Sequence, residues 1–429
     1  MKTLMHWFKQ TFSLKERLVL TISVSISAMI LSTLFWVRPV EQGVNPYQLL
    51  AYNIDVRDIQ QNKLDPFYTI FFSNYEAKAP VEEKEEVTRI LTEEVQRLHP
   101  YADRHHQFID ASAQPIQNLQ TLNASMGDNI WIPIDPVFYT LLSEAKIMTK
   151  LTNGAFNMFI GAVSDYWDGL LDNPYYRMFY RDYDPAYQPE QRRQLERLMT
   201  FIPMTSQAID DTLELKIENE QPYAKFNSFQ GSLAGDLKIT LGAIAKGFAN
   251  DVMADRLSDL GYTRGYLSNG TSSITTLGPR YGNTPYRWQV TSPHPSATYA
   301  FSIEKAGRHS LSTSGAYNGF LMPLGSGKIL RHHIIDTQTG YPSKPAIELN
   351  VISATYPAGR LDALSTAMMT LSKQEALALR SLIINQGYDL EMAWVEVDDD
   401  KVKVFYSEGY ASMMIQDPDV TYSMMKIPD

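Results

Sequence analysis

The chain has no cysteine among its 429 residues. Disulfides, thiolate zinc sites, iron–sulfur clusters, catalytic thiols and attachment through a lipid-modified cysteine are therefore excluded together. It also lacks an excess of positive charge: 38 Lys and Arg face 48 Asp and Glu, a formal net charge of −10, with a pI near 5.4. Nucleic acid wants a basic face, so this balance argues against it as a partner. An acidic protein that holds an anionic nucleotide must supply local positive charge or a cation. Long apolar runs are missing too, with one exception. From Leu18 to Val37 the chain reads LVLTISVSISAMILSTLFWV without a charge, and about 20 such residues at ~1.5 Å each span a bilayer core.

Lys2, Lys9, Lys15 and Arg17 precede that run, which places the N-terminus in the cytoplasm and the remainder outside. A cleaved signal peptide is the rival reading. No small-x-small site follows the run, and it is longer than a usual signal core, so an uncleaved anchor is favoured. The expected organisation is a cytoplasmic N-terminus at 1–17, a transmembrane anchor at 18–37, a tether at 38–54 and a folded part at 55–429. The protein is expected as single-pass in the cell membrane, its folded part on the extracytoplasmic side.

Within the folded part, Phe67–Phe72 is aromatic and β-branched and reads as a strand. Val87, Ile90, Leu91, Val95 and Leu98 recur at helical spacing across Val81–Leu98. Asp135 followed by Pro136 opens a second helix, which Asn153-Gly154 stops. Asn173–Glu214 is rich in Tyr, Arg, Asp and Pro and reads as an insertion or long surface excursion carrying a helix over Arg192–Thr200. Helices are expected over Lys246–Leu260, Ala363–Leu371 and Glu375–Ile384. Tyr266–Gly270 and Trp288–Val290 read as strands, and Trp394–Val397 with Val402–Tyr406 as a hairpin. Strands and helices are interspersed without a β-α-β repeat, which favours α+β with largely antiparallel sheet.

Three segments carry chemistry. Leu241-Gly242-Ala243-Ile244-Ala245-Lys246-Gly247 puts small residues and a lysine at a helix start, where backbone N–H groups suit a phosphate. His332-His333-Ile334-Ile335-Asp336 supplies imidazoles able to move a proton near neutral pH. Leu361-Asp362-Ala363-Leu364-Ser365-Thr366-Ala367 places a carboxylate and a hydroxyl four apart on one helix face, two hard oxygen ligands. Each has a plainer reading: Lys246 a solvated lysine, Asp362 the N-cap of its helix with Thr366 toward solvent, the histidines core or surface. If Ile334 and Ile335 begin a strand, the two imidazoles point to opposite faces. His105 and His106 have no third ligand at suitable spacing and carry little weight.

These segments, in this order, resemble the ApbE family, the FAD:protein FMN transferases, which carry L-G-G/A-I-A-K-G, H-I-I-D-x-x-T-G and D-A-L-S-T-A. Gly154-Ala155-Phe156-Asn157 followed by Trp167 is similar to the family's G-A-F-D stretch and its trailing tryptophan. The resemblance runs from about Asp55 to the C-terminus. It implies a two-lobed α+β fold of largely antiparallel sheets with flanking helices, FAD as substrate and Mg²⁺ as cofactor. The metal would be held by Asp362, Thr366 and the carbonyl of Ala243. It selects His333 as general base toward an acceptor hydroxyl. Lys246, Gly247, Asn269, Gly270, Thr271, Ser314, Gly315 and Asp336 would surround the nucleotide. The implied partner is a secreted or membrane-anchored protein flavinylated on Ser or Thr.

The chain departs from the pattern at Asn157, Thr240, Thr271, Ala316 and Thr337, three of which stand where the family has an aspartate. Two readings follow: a transferase that moves FMN from FAD and releases AMP, or a surface flavin-binding module that no longer transfers.

Overall fold

The computed structural model describes residues 48–55, 69–77, 80–110, 112–270, 272–280, 284–291, 300–317, 319–324, 327–398, 401–416 and 423–427. The apolar run at 18–37 lies outside these, as does Thr271. Among the described residues no helix is long and apolar enough to cross a membrane.

A nine-stranded sheet organises the molecule. Edge to edge it runs Gln48–Asp55, Thr69–Ala77, Gly265–Asn269, Ser273–Thr276, Ser310–Gly315, Glu348–Ser353, Glu391–Asp398, Lys401–Tyr406 and Ser423–Lys426. Every ladder in it is antiparallel except the last, where Lys403 pairs Ser423 in parallel. Smaller sheets of three, three and two strands complete the α+β architecture. The expected tether ends early: Gln48–Asp55 is the edge strand, paired with Thr69–Ala77. Tyr47–Asp429 forms one compact unit.

The first helices follow their sequence signals. Pro80–Ala102 buries Val87, Ile90, Leu91, Val95 and Leu98. Pro136–Leu151 starts where the Asp135 side chain accepts the Val137 N–H, and Asn153 and Gly154 leave it at φ 49° and 79°.

Two further helices build the site. Ala245–Asp259, the Lys246 helix, packs on Gly265–Asn269 and Ser273–Thr276. Ala358–Thr370, the Asp362 helix, packs on Ser310–Gly315 and Glu348–Ser353 and against the Lys246 helix. The Asp362 helix starts five residues before its expected position. Its first turn has no apolar periodicity, and its N-cap, Pro357, makes no side-chain cap bond. The cap comes from elsewhere: Asp251 accepts the N–H groups of Ala358 (3.0 Å) and Gly359 (2.9 Å). Asp362 is therefore inside the helix and is not its N-cap.

The Asn173–Glu214 stretch is more than a surface excursion. Tyr176, Leu195, Leu198 and Ile202 pack with Trp167, Phe320, Met322 and Ile335 in a separate apolar cluster. Inside it the Asp184 carboxylate takes two bonds from Arg331, at 2.8 and 3.1 Å, and both side chains are buried. Arg331 also lies against the Trp167 and Tyr341 rings. Arg331 directly precedes the two histidines, so this pair anchors their segment from below.

Asp184→Ala leaves the guanidinium buried without its carboxylate. The expected loss is about 3–5 kcal/mol in denaturant unfolding, because an uncompensated buried charge is left behind; a loss below 1 kcal/mol would mean that the pair does not anchor the segment.

Candidate functional site: a phosphate and cation cleft

A cleft of about 1320 Å³ gathers residues from both site helices, the histidine segment and the Gly161–Leu171 helix. Of the residues proposed from sequence, Ala243, Lys246, Gly270, Ser314, Gly315, His333 and Thr366 line it. Asp362 lies just beneath, one helical turn from Thr366. Asp336 does not line it: its carboxylate accepts Gln338 N–H and the Thr339 hydroxyl and shapes the turn that ends at Gly340. Asn269 is also behind the surface, fully buried, its Nδ2 donating to the Lys246 carbonyl at 3.3 Å.

The two site helices approach closely at glycines. A methyl on Gly247 would stand 2.1 Å from the Ala358 carbonyl oxygen, and one on Gly359 would stand 3.0 Å from the Phe248 backbone. Glycine at 247 thus serves helix packing, and its N–H is already used, donating to Asp362 Oδ2 at 2.6 Å. The other oxygen, Oδ1, accepts the Ser312 hydroxyl at 2.6 Å. Ser312 Oγ lies 3.0 Å from Ser365 Oγ, Ser365 Oγ 2.7 Å from Ser314 Oγ, and Ser314 Oγ 3.1 Å from Thr366 Oγ1. This chain of hydroxyls links the buried carboxylate to the cleft wall.

Burial raises the Asp362 pKa, and the Lys246 ammonium is the largest influence holding it down. A carboxylate removed from water gains most from a nearby cation. The ligands that the family resemblance implies are one carboxylate, one hydroxyl and the Ala243 carbonyl, all hard oxygens. Among the described residues no group of three or more His, Cys, Asp or Glu could hold a metal. A site with one charged ligand suits Mg²⁺, which keeps water and takes substrate phosphate oxygens.

The histidines separate by environment, though not as neighbours on a strand: the segment is a loop that makes one bridge, Ile335 to Pro342. His332 is 1% exposed. Its Nε2 donates to the Ser343 carbonyl at 3.0 Å and its Nδ1 accepts the Ile334 N–H at 3.2 Å, so neither nitrogen is available. His333 is exposed within the cleft. Surrounding protein and then the Lys246 charge push its pKa down to about 4. Its ring is therefore neutral near pH 7, able to accept a proton.

The opposite wall was not anticipated. Arg104 bonds Asp165 Oδ1 and Asp168 Oδ2, each at 2.9 Å, and Thr240 Oγ1 at 3.3 Å. Lys238 Nζ reaches Asp165 Oδ2 at 2.7 Å. His105 and His106, which carried little weight in sequence, line the cleft beside them. Burial raises the Asp168 pKa, with Asp165 and Asp172 adding to the effect against Arg104. No spacing rule joins residue 104 to residue 165; only the fold does. The sole hint was the i, i+3, i+7 recurrence of Asp165, Asp168 and Asp172 on one helix face.

Several departures from the family pattern have local partners. Asn157 donates Nδ2 to the Pro203 carbonyl at 3.0 Å, which an aspartate could not do. The Thr337 hydroxyl donates to the Gly154 carbonyl at 2.6 Å, tying the histidine turn to the Gly154–Asn157 stretch. Trp167 Nε1 joins the same region by donating to the Gly340 carbonyl at 2.6 Å.

Gly247→Ala forces the two helices apart or shifts their backbones. We expect a loss of about 1–3 kcal/mol in thermal or denaturant unfolding, the usual range for overpacking, and unchanged stability would contradict the tight crossing.

Residues 72–387 match the family model described as the ApbE family. The chain is 27% identical over 269 residues to an FAD:protein FMN transferase of Treponema pallidum, covering 61% of this chain and 67% of that one. It is 24% identical over 266 residues to an FAD:protein FMN transferase of Haemophilus influenzae, covering 60% and 67%. In fold it is similar to an ApbE protein of Thermotoga maritima, with a TM-score of 0.59 at 18% identity, covering 85% of this chain and 99% of that one. The flavin transferase ApbE of Vibrio cholerae gives a TM-score of 0.56 with the same coverage and identity. With its matched segment spanning most of the folded part, the chain belongs to the ApbE family.

Proposed function

We propose that the protein is an FAD:protein FMN transferase that moves FMN from FAD to a Ser or Thr hydroxyl of a partner protein. The observation that carries this is the Asp362 carboxylate buried beside Lys246, with a neutral His333 open to the same cleft. Family membership and the names of the relatives support it. His333 accepts the hydroxyl proton as that oxygen bonds to the FMN phosphorus. The P–O bond to the AMP phosphate breaks and AMP leaves, so one acceptor O–H and one pyrophosphate bond are exchanged for one phosphoester bond and AMP. Lys246 offers its ammonium to the phosphates, and the hydroxyls of Ser314 and Thr366 line their path. Asp362, Thr366 and the Ala243 carbonyl would hold Mg²⁺, which supplies charge stabilisation at the phosphoryl oxygens. An acceptor protein at the outer face of the cell membrane fits an anchor at 18–37, which we retain as part of the proposal.

The flavin-binding module without transfer was motivated by the altered acidic positions. Asn157 makes a bond that the family's aspartate could not, and Thr337, where the family pattern has proline, makes one that proline could not, so at those two positions the change needs no loss of activity.

The test is incubation with FAD, Mg²⁺ and a candidate acceptor, read by intact mass of the acceptor and by AMP release. Asp362→Ala should bring FAD cleavage near background, and Thr366→Val should weaken it less, since a neutral ligand is lost. His333→Ala should slow transfer about 10²–10⁴-fold with little change in FAD affinity. Because the His333 pKa is lowered, its share of the rate should persist below pH 6 and fall only near pH 4. Tight FAD binding by the wild type without AMP or adduct would favour the module.

The anchor is tested separately. Fractionation should recover the intact chain in membranes, with its C-terminal part open to protease from outside; a mature soluble form beginning after Val37 would refute it.

A further inference from the structure

Asp251 lies on the Lys246 helix, one turn beyond Gly247, and does not line the substrate cleft. Its two carboxylate oxygens accept the N–H groups of Ala358 and Gly359, at 3.0 and 2.9 Å. These are the first two residues of the Asp362 helix, which has no side-chain cap of its own. One turn back along the Lys246 helix the bond runs the other way, from Gly247 N–H to Asp362 Oδ2. The two helices are thus clamped at two points by reciprocal backbone-to-carboxylate bonds, with Gly247 and Gly359 allowing the approach between them.

We propose that Asp251 is a positioning residue, whose clamp on the Asp362 helix fixes where Asp362 and Thr366 stand relative to Lys246 and the phosphate cleft. A helix whose first turn is released can slide or rotate against its neighbour, and a ligand pair four residues apart moves with it. The activity arm of the test rests on the proposed transferase reading; the binding arm does not.

A second cavity, of about 350 Å³, reaches Asp251 between the same two helices, with Phe248, Gly359, Arg360 and His309 in its walls. Solvent thus reaches the clamp without passing through the substrate cleft. Asp251 faces Asp255 on its own helix, and Asp362 and Arg360 on the Asp362 helix. Glu144 comes from Pro136–Leu151, bonded to Arg360, while Arg308, His309 and Tyr356 complete the surroundings. Burial first, then Asp255 and Asp362, raise the Asp251 pKa to about 6 against the pull of its two N–H partners.

Asp251→Asn is the deciding variant: one oxygen still accepts, while the amide NH₂ faces the second N–H. In the full-length protein, Mn²⁺ binding is followed by its EPR signal, AMP release from FAD by chromatography, and folding by thermal denaturation. We expect Mn²⁺ affinity and the rate each to fall about 10–100-fold, as for other residues that orient metal ligands. The melting temperature should change little, since a buried charge is removed along with its bond. Unchanged Mn²⁺ affinity, or no saturable Mn²⁺ binding by the wild type, overturns the proposal. A lowered melting temperature with wild-type Mn²⁺ affinity also overturns it, leaving Asp251 as a structural cap. If Asp251→Asn does not fold, Asp251→Glu keeps the charge on a longer arm, and wild-type Mn²⁺ affinity in it overturns the proposal equally. If the wild type releases no AMP from FAD, the transferase reading fails while the Mn²⁺ comparison still decides the role of Asp251.

Discussion

The buried Asp362 carboxylate sets terms that much of the fold then meets. Taking a carboxylate out of water costs several kcal/mol unless hydrogen bonds and opposite charge offset it. Here the offset comes from the Gly247 N–H, the Ser312 hydroxyl and the Lys246 ammonium. To bring a backbone N–H from one helix to a side chain inside another, the helices must nearly touch. Side chains at 247 and 359 would prevent that, so both positions are glycine. The sheet order follows the same need: Ser310–Gly315 lies between Ser273–Thr276 and Glu348–Ser353, under the Asp362 helix, and delivers Ser312 and Ser314 to the carboxylate network.

The histidine side of the cleft is held by a different device. His333 is on a loop, and a loop residue keeps a fixed direction only if its flanks are tied. Arg331 is tied by Asp184 inside a buried apolar cluster, Thr337 by the Gly154 carbonyl and Gly340 by Trp167. The Asn173–Glu214 stretch contributes the first of these ties, which makes it part of the support of the histidine segment. His332, its nitrogens both satisfied, is one more support. Two adjacent histidines thus have separate environments, one satisfied in the interior and one open to the cleft.

Local signals in the sequence were legible wherever local physics decides. The Asp135-Pro136 start, the Asn153-Gly154 stop and the Val87–Leu98 stripe depend on a few neighbouring residues, and each appears where its pattern puts it. The Lys246, His333 and Thr366 segments were also readable as a set, because their residue types suit phosphate, proton and hard cation. The first turn of the Asp362 helix was not: the helix is buried on nearly every side, so it has no polar face to set a period. The Gln48–Asp55 strand was missed because Pro39, Gly43 and Pro46 before it suggested a tether, while its partner strand begins more than ten residues later.

By itself, the sequence determined the chemistry available: no thiols, an acidic surface balance, and lysine, histidine and an aspartate–threonine pair in the order of the ApbE family. The tertiary structure decided which of these atoms are free to act. It spent the Gly247 N–H on Asp362, turned Asp336 into its own loop, and buried His332 while opening His333. It also brought Arg104 across to Asp165 and Asp168, and Asp251 to the start of a helix more than a hundred residues away. Those outcomes depend on hydrogen bonds between segments remote in sequence, and a bond's partner is fixed only when packing has brought the two segments within about 3 Å.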